Sequence, residues 1–142
     1  MLNWLRSLAW AFLGIPTHYK LRIHPLVRVD YPANVHRGMG GCIGQGGFLQ
    51  GPGQIYIGDD VWIGPNVGII TANHDLENLS KDAEPSDVVI GDHCWIGMNA
   101  VLLPGVELGD GVIVGAGSIV TKSFKDGHCM IAGNPAKIIR QP

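Results

Sequence analysis

The sequence predicts an all-β domain that winds as a regular coil of short strands. Two observations predict it: an aliphatic residue recurs at every sixth position over much of the chain, and 21 of the 142 residues are glycine. A period of six matches neither the 3.6-residue repeat of a helix nor the alternation of a long strand. It fits strands of a few residues with a turn after each, so that successive six-residue blocks form the faces of a triangular prism.

The repeat is clearest from Ile57 to Lys125. Glycine fills the second position of most blocks there, and we expect it to supply the unusual backbone angles at or near each bend. The first position is aliphatic and the fifth is mostly small or β-branched, so both are expected to point into the prism. The blocks are IGDDVW, IGPNVG and IITANH from residue 57, then IGDHCW, IGMNAV, LLPGVE, LGDGVI, VGAGSI and VTKSFK from residue 90.

Toward the N-terminus the repeat is less regular. The blocks IGQGGF and LQGPGQ keep the six-residue step from Ile43, and two extra residues, Ile55 and Tyr56, then shift it. This shift predicts a bulge or corner near Gly51-Pro52-Gly53, where the residue types are typical of turns. The earlier stretches IHPLVR and VDYPAN are predicted to be irregular first coils.

The chain is predicted to divide into an N-terminal capping segment, residues 1–22, and a β-helix domain, residues 23–142. A parallel coil has open ends that need a cover. Residues 2–13 are apolar along one side of a helix, which predicts a short capping helix. Its apolar side would carry Leu5, Leu8 and Phe12, with Leu2, Ala9 and Leu13 adjacent.

An alternative for residues 1–15 is peripheral contact with a membrane surface, because Trp4 and Trp10 accompany a basic stretch. The same stretch is interrupted by Arg6 and is too short to span a bilayer. It is also a poor signal peptide, since almost no apolar core remains after Arg6. A cytoplasmic protein, with membrane association as an option, is therefore the expectation.

Composition limits the partners. A net charge of -2 gives no reason to expect nucleic acid. Only 15% of the residues are charged, so the surface is poor in charge unless other subunits cover it, which favours an oligomer. Cys42, Cys94 and Cys129 cannot all pair within one chain and lack the spacing of metal ligands, which indicates packing residues in a reducing compartment.

The period breaks after Ile69. The next block begins at Ile90, 21 residues later, which is not a multiple of six, so part of the intervening chain must leave the coil. The polar stretch DLENLSKDAEPSD has the residue types of a loop, and it predicts a protruding arm near residues 75–88. His74 lies at its root and is expected to project toward solvent or an adjoining coil.

Four motifs then resemble one family. TANHD at the break, CWIGMNA and GAGSIVTK in the later blocks, and AGNPAKIIR at the end are similar to the hexapeptide-repeat acyltransferases. The closest resemblance is to galactoside and maltose O-acetyltransferases and to their polysaccharide-modifying relatives. The resemblance covers about residues 43–140. It implies a left-handed parallel β-helix, although the general rule for parallel crossovers favours the right-handed form.

The resemblance also implies the site residues. His74 corresponds to the catalytic histidine, the general base that takes the proton of a sugar hydroxyl. Residues near it are candidates for binding the acceptor or orienting the imidazole: Asn73, Asp75, Glu84 and Trp95. Residues of the later motifs are expected to bind acetyl-CoA. The backbone contacts to pantetheine are expected from Gly97, Met98, Ala116 and Gly117, and Pro135 is expected to pack on adenine. The residues expected to contact the phosphates are Thr121, Lys122, Lys137 and Arg140.

The predicted function is acetyl transfer from acetyl-CoA to a saccharide hydroxyl by a homotrimer, with sites between subunits and without a metal. One alternative is N-acetylation of an amino sugar, and another is a non-catalytic hexapeptide scaffold. A zinc carbonic anhydrase of similar architecture is disfavoured, because no third histidine joins His74 and His93 at a suitable spacing. The N-terminal helical region that helps bind the acceptor in galactoside and maltose enzymes is not recognisable in MLNWLRSLAW, so the identity of the acceptor sugar stays open.

Overall fold

A computed structural model describes residues 22–141, and they form three parallel sheets that are the faces of a prism. Face A contains β1 (Arg22–Ile23), β4 (Cys42–Ile43), β7 (Trp62–Ile63), β12 (Trp95–Ile96), β15 (Ile113–Val114) and β17 (Met130–Gly133). Face B contains β2 (Arg28–Val29), β5 (Phe48–Gln50), β8 (Gly68–Ile70), β13 (Val101–Leu102) and β16 (Ile119–Val120). Face C contains β3 (Val35–Arg37), β6 (Ile55–Ile57), β11 (Val88–Ile90) and β14 (Glu107–Leu108).

The chain passes from face A to B to C and back to A, so each circuit is one coil and every strand pairs with the strand one coil away. Trp62 pairs with Cys42 below it and with Trp95 above it, for example. Five such coils stack, and the bridge between Leu108 and Phe124 continues face C in the last one. The predicted all-β fold of stacked parallel coils is confirmed, and it agrees with the left-handed β-helix that the resemblance implies.

The interior follows the six-residue pattern. First-position residues such as Ile63 and Leu102 and fifth-position residues such as Val67 and Ala100 are buried. These short aliphatic side chains fill a narrow prism from all three faces and supply most of its hydrophobic stabilisation. The clearest departure is the block from Ile69, where Thr71 is the next buried residue and Asn73, in fifth position, is exposed. Phe124, fifth in the last block, is half-buried.

The second-position glycines serve close packing of coils, and the expectation that they supply the unusual angles was wrong. A Cβ added at Gly64 would lie 2.8 Å from the Met98 nitrogen, and one added at Gly97 would lie 2.6 Å from the Ala116 nitrogen. The left-handed backbone angle falls at the fourth position instead. Asn66 has φ 55° and His93 has φ 57°, and glycine takes this position in the later coils.

A line of aspartates ties the coils together along the edge between faces C and A. The Asp59 N–H donates to Asp92 Oδ1 at 2.7 Å, and the Asp92 N–H donates to Asp110 Oδ1 at 2.8 Å. Each carboxylate therefore accepts a backbone N–H from the coil below it, where the turn leaves that donor outside the sheet. The recurring Gly-Asp pair is explained by this contact together with the close approach at the glycine.

Coil length changes along the prism. The hydrogen bonds from a backbone N–H to the aspartate one coil above show how many residues each circuit contains. The partners are 20 residues apart in the second coil, 33 residues apart in the third and 18 residues apart in the fourth. The two extra residues of the early coils are accommodated between faces B and C, by the bend at 51–53 and by a 3-10 turn at Pro32–Asn34. The predicted corner and the irregular first coils are confirmed.

The long third coil contains the predicted arm, which begins earlier than expected. Its base is an antiparallel pair, β9 (Ala72–Asn73) and β10 (Glu84–Pro85), and the residues between are mostly exposed. The C-terminal stretch, predicted to be a tail, returns along face A as β18 (Ala136–Arg140), antiparallel to β17. This strand covers one edge of the sheet.

The predicted capping helix, residues 2–13, and the alternative membrane contact of residues 1–15 lie outside the described residues. The division of the chain at residue 22 stays a prediction for the same reason. Within residues 22–141, no helix has the length and apolar character that crossing a bilayer requires.

Candidate active site

The root of the arm brings three of the predicted acceptor and catalytic residues together. Asn73 is paired with Glu84 across the antiparallel ribbon, and His74 is the next residue beyond that rung. All three side chains are exposed. In the part of the chain that the structure describes, the His74 ring has no hydrogen-bond partner, so both ring nitrogens are available to a ligand.

Asp75 is engaged by the arm itself. Its Oδ1 accepts the N–H of Glu77 at 2.8 Å and that of Asn78 at 3.2 Å, and Oδ2 pairs with the Lys81 ammonium. The hydrogen bond from Lys81 and that from the Glu77 N–H hold the pKa of this carboxyl below its usual value. The Asp75 carboxylate therefore orders the turn that follows His74. No contact between this carboxylate and the imidazole supports the expectation that Asp75 orients the ring.

A buried hydroxyl fixes the base of the arm. Thr71 Oγ1 accepts the Gly53 N–H at 3.0 Å and lies 3.3 Å from the Gln50 carbonyl oxygen, to which it donates. The Ser86 N–H donates to the Thr71 carbonyl at 2.7 Å. The arm thus leaves and re-enters the prism at one edge, between faces B and C, which we call the B–C edge.

Thr121 and Lys122 lie at the same B–C edge, two coils above Thr71, directly after β16. Both side chains are exposed. The Lys122 ammonium stands 5.6 Å from the centre of the Phe124 ring, within the range of a cation–π contact. This edge therefore combines the candidate base with one of the predicted cationic groups.

The other nucleotide-binding candidates occupy the neighbouring A–B edge, between faces A and B. Met98 and Ala116 are exposed at equivalent turns of the fourth and fifth coils, where the Gly117 N–H donates to the Met98 carbonyl at 2.8 Å. Among residues 22–141, neither the Met98 N–H nor the Ala116 N–H has a hydrogen-bond acceptor. Two backbone donors one coil apart thus lack an acceptor in the described chain, beside the exposed Met98 side chain.

The C-terminal hairpin extends this edge. Pro135 lies in the turn between β17 and β18, just above Gly117, and the preceding Gly133 N–H donates to Ser118 Oγ at 3.2 Å. Lys137 is paired with Ala132 near the turn, whereas Arg140 is paired with Met130 at the far end of the ribbon. Lys137 and Arg140 are exposed, so both charges are available to an anionic ligand.

Trp95 lies on the outward side of face A, two residues before Gly97, and is 57% exposed. Directly below it, at the equivalent position of the third coil, lies Trp62, which is 56% exposed. The sequence analysis did not select Trp62. The signal was available, because VWIG and CWIG place tryptophan at the same block position, but the inserted arm hides that equivalence.

Within one chain the predicted site residues fall on two edges. His74, Asn73 and Glu84 lie at the B–C edge, and Met98, Ala116 and Pro135 lie at the A–B edge, with the width of face B between them. A ligand that contacts both groups directly must therefore lie between two chains or cross a face. No group of three or more metal-binding side chains lies together in the described part of the molecule.

The comparisons with known proteins assign this solenoid to the hexapeptide class of transferases. The model of the family "Bacterial transferase hexapeptide (six repeats)" matches residues 87–122. A Dictyostelium discoideum protein whose name suggests an acetyltransferase is 38% identical over 88% of this chain and 67% of its own length. The chain belongs to the hexapeptide-repeat transferase family, as its motifs predicted.

Solved structures show the same fold. The maltose O-acetyltransferase of Clostridium difficile superposes with a TM-score of 0.79 and 34% identity, over 86% of this chain and 66% of that one. A galactoside acetyltransferase in complex with coenzyme A superposes with a TM-score of 0.75 and 26% identity, over 96% of this chain and 79% of that one. The chain spans about three fifths of the length of the curated relatives that it matches, between 57% and 67%.

Proposed function

We propose that this protein transfers an acetyl group from acetyl-CoA to a hydroxyl group of a saccharide. The observation that carries the proposal is the exposed imidazole of His74, which has no partner among the described residues and stands where the arm interrupts the coil. The names of the relatives support the substrate class, since the matched proteins include a galactoside O-acetyltransferase and a maltose O-acetyltransferase.

The chemistry requires a base. A sugar hydroxyl is far too weak an acid to attack a thioester at neutral pH unless its proton is removed as the new bond forms. An unperturbed imidazole, with a pKa near 6.5, suits that role. In the proposed reaction, His74 takes the hydroxyl proton while the oxygen attacks the thioester carbonyl. The tetrahedral intermediate then collapses with cleavage of the carbon–sulfur bond, and the sulfur of coenzyme A receives the proton from His74.

Acetyl-CoA is proposed to lie along the A–B edge. The N–H groups of Met98 and Ala116, which have no acceptor among the described residues, suit the carbonyl oxygens of pantetheine. Gly117, where an added Cβ would meet nothing within 4 Å, leaves room for a close approach, whereas Gly97 is buried against the Ala116 backbone. Pro135 would pack on adenine at the upper end. Lys137 and Arg140 of the same chain, with Thr121 and Lys122 from the B–C edge of the neighbouring subunit, would bind the phosphates by hydrogen bonds and charge. A backbone N–H near the thioester would stabilise the oxyanion.

The separation of the two edges supports a homotrimer with its active sites between subunits. In that arrangement the B–C edge of one subunit, with His74, faces the A–B edge of the next. The arm offers an apolar contact for the neighbour, because Leu76 is 95% exposed and Leu79 is 72% exposed. Side chains of this size are seldom left so open on a monomer surface when they lie together.

The test is release of free thiol from acetyl-CoA in the presence of maltose, methyl galactoside and glucosamine. We expect His74→Ala to lower kcat/KM by about a hundredfold to ten-thousandfold, the usual contribution of a general base. His93→Asn is the matched control, because His93 is also exposed and asparagine tolerates its left-handed backbone angle. Equal rates for wild type and His74→Ala would remove the base, and preference for the amine would point to N-acetylation.

A further inference from the structure

The outward side of face A carries an uncharged ladder of side chains. It consists of one residue from each of five strands, and each residue pairs with the equivalent residue of the next coil, starting from the second coil. The two tryptophans are exposed, and the other three residues are half-buried. The ladder consists of Cys42, Trp62, Trp95, Ile113 and Met130.

Outward aromatic side chains on the other two faces have cationic or aromatic neighbours. The Arg28 guanidinium lies 5.0 Å from the centre of the Phe48 ring on face B. On face C the rings of His36 and Tyr56 stack with their centres 4.8 Å apart. Trp62 has no such ring or cation contact in the described chain, so its indole face is available to a ligand.

Trp62 lies in the same coil of the prism as the arm that carries the proposed base, His74. Trp62 begins the third coil, the coil that also carries the arm and His74, whereas the A–B edge residues proposed for acetyl-CoA lie in the fourth and fifth coils and the hairpin. A threefold rotation about an axis parallel to the prism leaves height unchanged. The coil rises by one strand spacing, about 4.8 Å, per circuit, so in the proposed trimer the neighbour's His74 lies at a height between Trp62 and Trp95, with Trp62 on the side away from the acetyl-CoA coils.

We propose that Trp62 is an acceptor-binding residue, on whose indole face the acceptor sugar stacks while its hydroxyl meets the neighbouring imidazole. This inference rests on the proposed function and names the chemical class of the acceptor. The C–H face of a pyranose matches the electron-rich face of an indole. Trp95, one rung higher, borders the thioester.

The test compares Trp62→Ala with Trp62→Phe in the thiol-release assay, with maltose and methyl galactoside as acceptors. We expect Trp62→Ala to raise the KM for the better acceptor about tenfold and to leave the KM for acetyl-CoA within about twofold. Trp62→Phe should recover most of the loss, because a phenyl ring still stacks. Tyr56→Ala is the matched control: it removes another exposed ring, on face C of the second coil, and should change neither constant.

Two outcomes would overturn the inference. One is an unchanged acceptor KM in Trp62→Ala, and the other is loss of the wild-type mass in solution, which would assign Trp62 to the contact between subunits. Thiol release that is absent for wild type with every sugar would contradict the proposed function. In that case, binding of the same sugars is measured by the change in tryptophan fluorescence of wild type and of Trp62→Phe. The same change in both proteins, or no change in either, would also overturn the proposed role of Trp62.

Discussion

Asn73 and Glu84 are partners across the antiparallel base of the arm, and His74 directly follows Asn73 in the chain. The pairing joins residues that are eleven positions apart in the chain and that only the arm brings together. It gives the exposed imidazole a defined chemical setting, with an amide and a carboxylate on the same ribbon.

Glu84→Gln is expected to lower kcat/KM for the saccharide about tenfold, because the exposed carboxylate at the root of the arm is proposed to accept hydrogen bonds from the acceptor hydroxyl groups. Stability should not change, since the side chain is exposed. Thiol release and thermal unfolding measure the two effects. Glu77→Gln is the control, as Glu77 is an exposed acid farther along the arm. Equal losses in the two variants would indicate a general effect of arm charge.

Gly64→Ala is expected to destabilise the protein by about 1–3 kcal/mol, because its Cβ would lie 2.8 Å from the Met98 nitrogen and would force two coils apart. Gly68→Ala is the matched control. Its Cβ would meet only the Val101 methyl groups at 3.7 Å, and a change of no more than about 1 kcal/mol, in the stabilising direction, is expected. Urea unfolding measures both. Similar destabilisation of the two variants would contradict the account of the second-position glycines.

Asp75→Ala is expected to loosen the arm, because the N–H groups of Glu77 and Asn78 and the Lys81 ammonium lose their acceptor. Tryptic cleavage after Lys81 should accelerate. Asp75→Asn keeps one acceptor oxygen and should show a smaller increase. If cleavage proceeds at the wild-type rate in Asp75→Ala, the carboxylate does not order the arm.

The same carboxylate predicts a pH dependence of the arm. Its pKa is lowered in the folded protein, so its stabilisation is complete above the ordinary value of about 4 and is lost as the pH falls through the lowered pKa. Hydrogen-exchange protection of the Glu77 amide should therefore decrease below about pH 4, after correction for intrinsic exchange. Protection in Asp75→Asn should be independent of pH in this range.

Cys94 predicts an alkaline loss of stability. Burial raises the pKa of this thiol to about 11, whereas an unfolded cysteine ionises near 8.5. The raised pKa means that its contribution is complete below about pH 8.5 and is lost as the pH rises toward the folded value. Wild type should lose free energy of unfolding relative to Cys94→Ala over this interval. A wild-type slope retained in Cys94→Ala would reject the assignment.

The sequence predicted the interior well because the inward positions are dictated by a repeat that every coil obeys. Ile63, Val67 and Leu102 fall where the six-residue step places them. The turn residues could not be found the same way, since the left-handed angle at Asn66 or His93 leaves no trace in the aliphatic period. The terminal hairpin was missed because β18 pairs antiparallel and has no six-residue step.

The candidate site was only partly predictable. Motif resemblance selected His74 and the outward turns at Met98 and Ala116, but it gave no indication that these groups occupy different edges. Trp62 was missed because its partner Trp95 is separated from it by the arm, so their register appears only once the coils are stacked. Asp75 was selected for proximity in sequence, whereas its oxygens are used within the arm.

The hydrogen bond from the Ser86 N–H to the Thr71 carbonyl, at 2.7 Å, closes the base of the arm and separates the arm from the coils of the prism. The arm leaves the prism after Thr71 and re-enters it at Ser86, and the two ends are hydrogen-bonded neighbours. The coils above and below therefore do not depend on the number of residues in the arm. Loops of other lengths and compositions could be grafted there without changing the coils that are proposed to bind acetyl-CoA. If the arm takes part in acceptor binding as proposed, replacing it would alter acceptor preference and leave the acetyl-CoA surface unchanged.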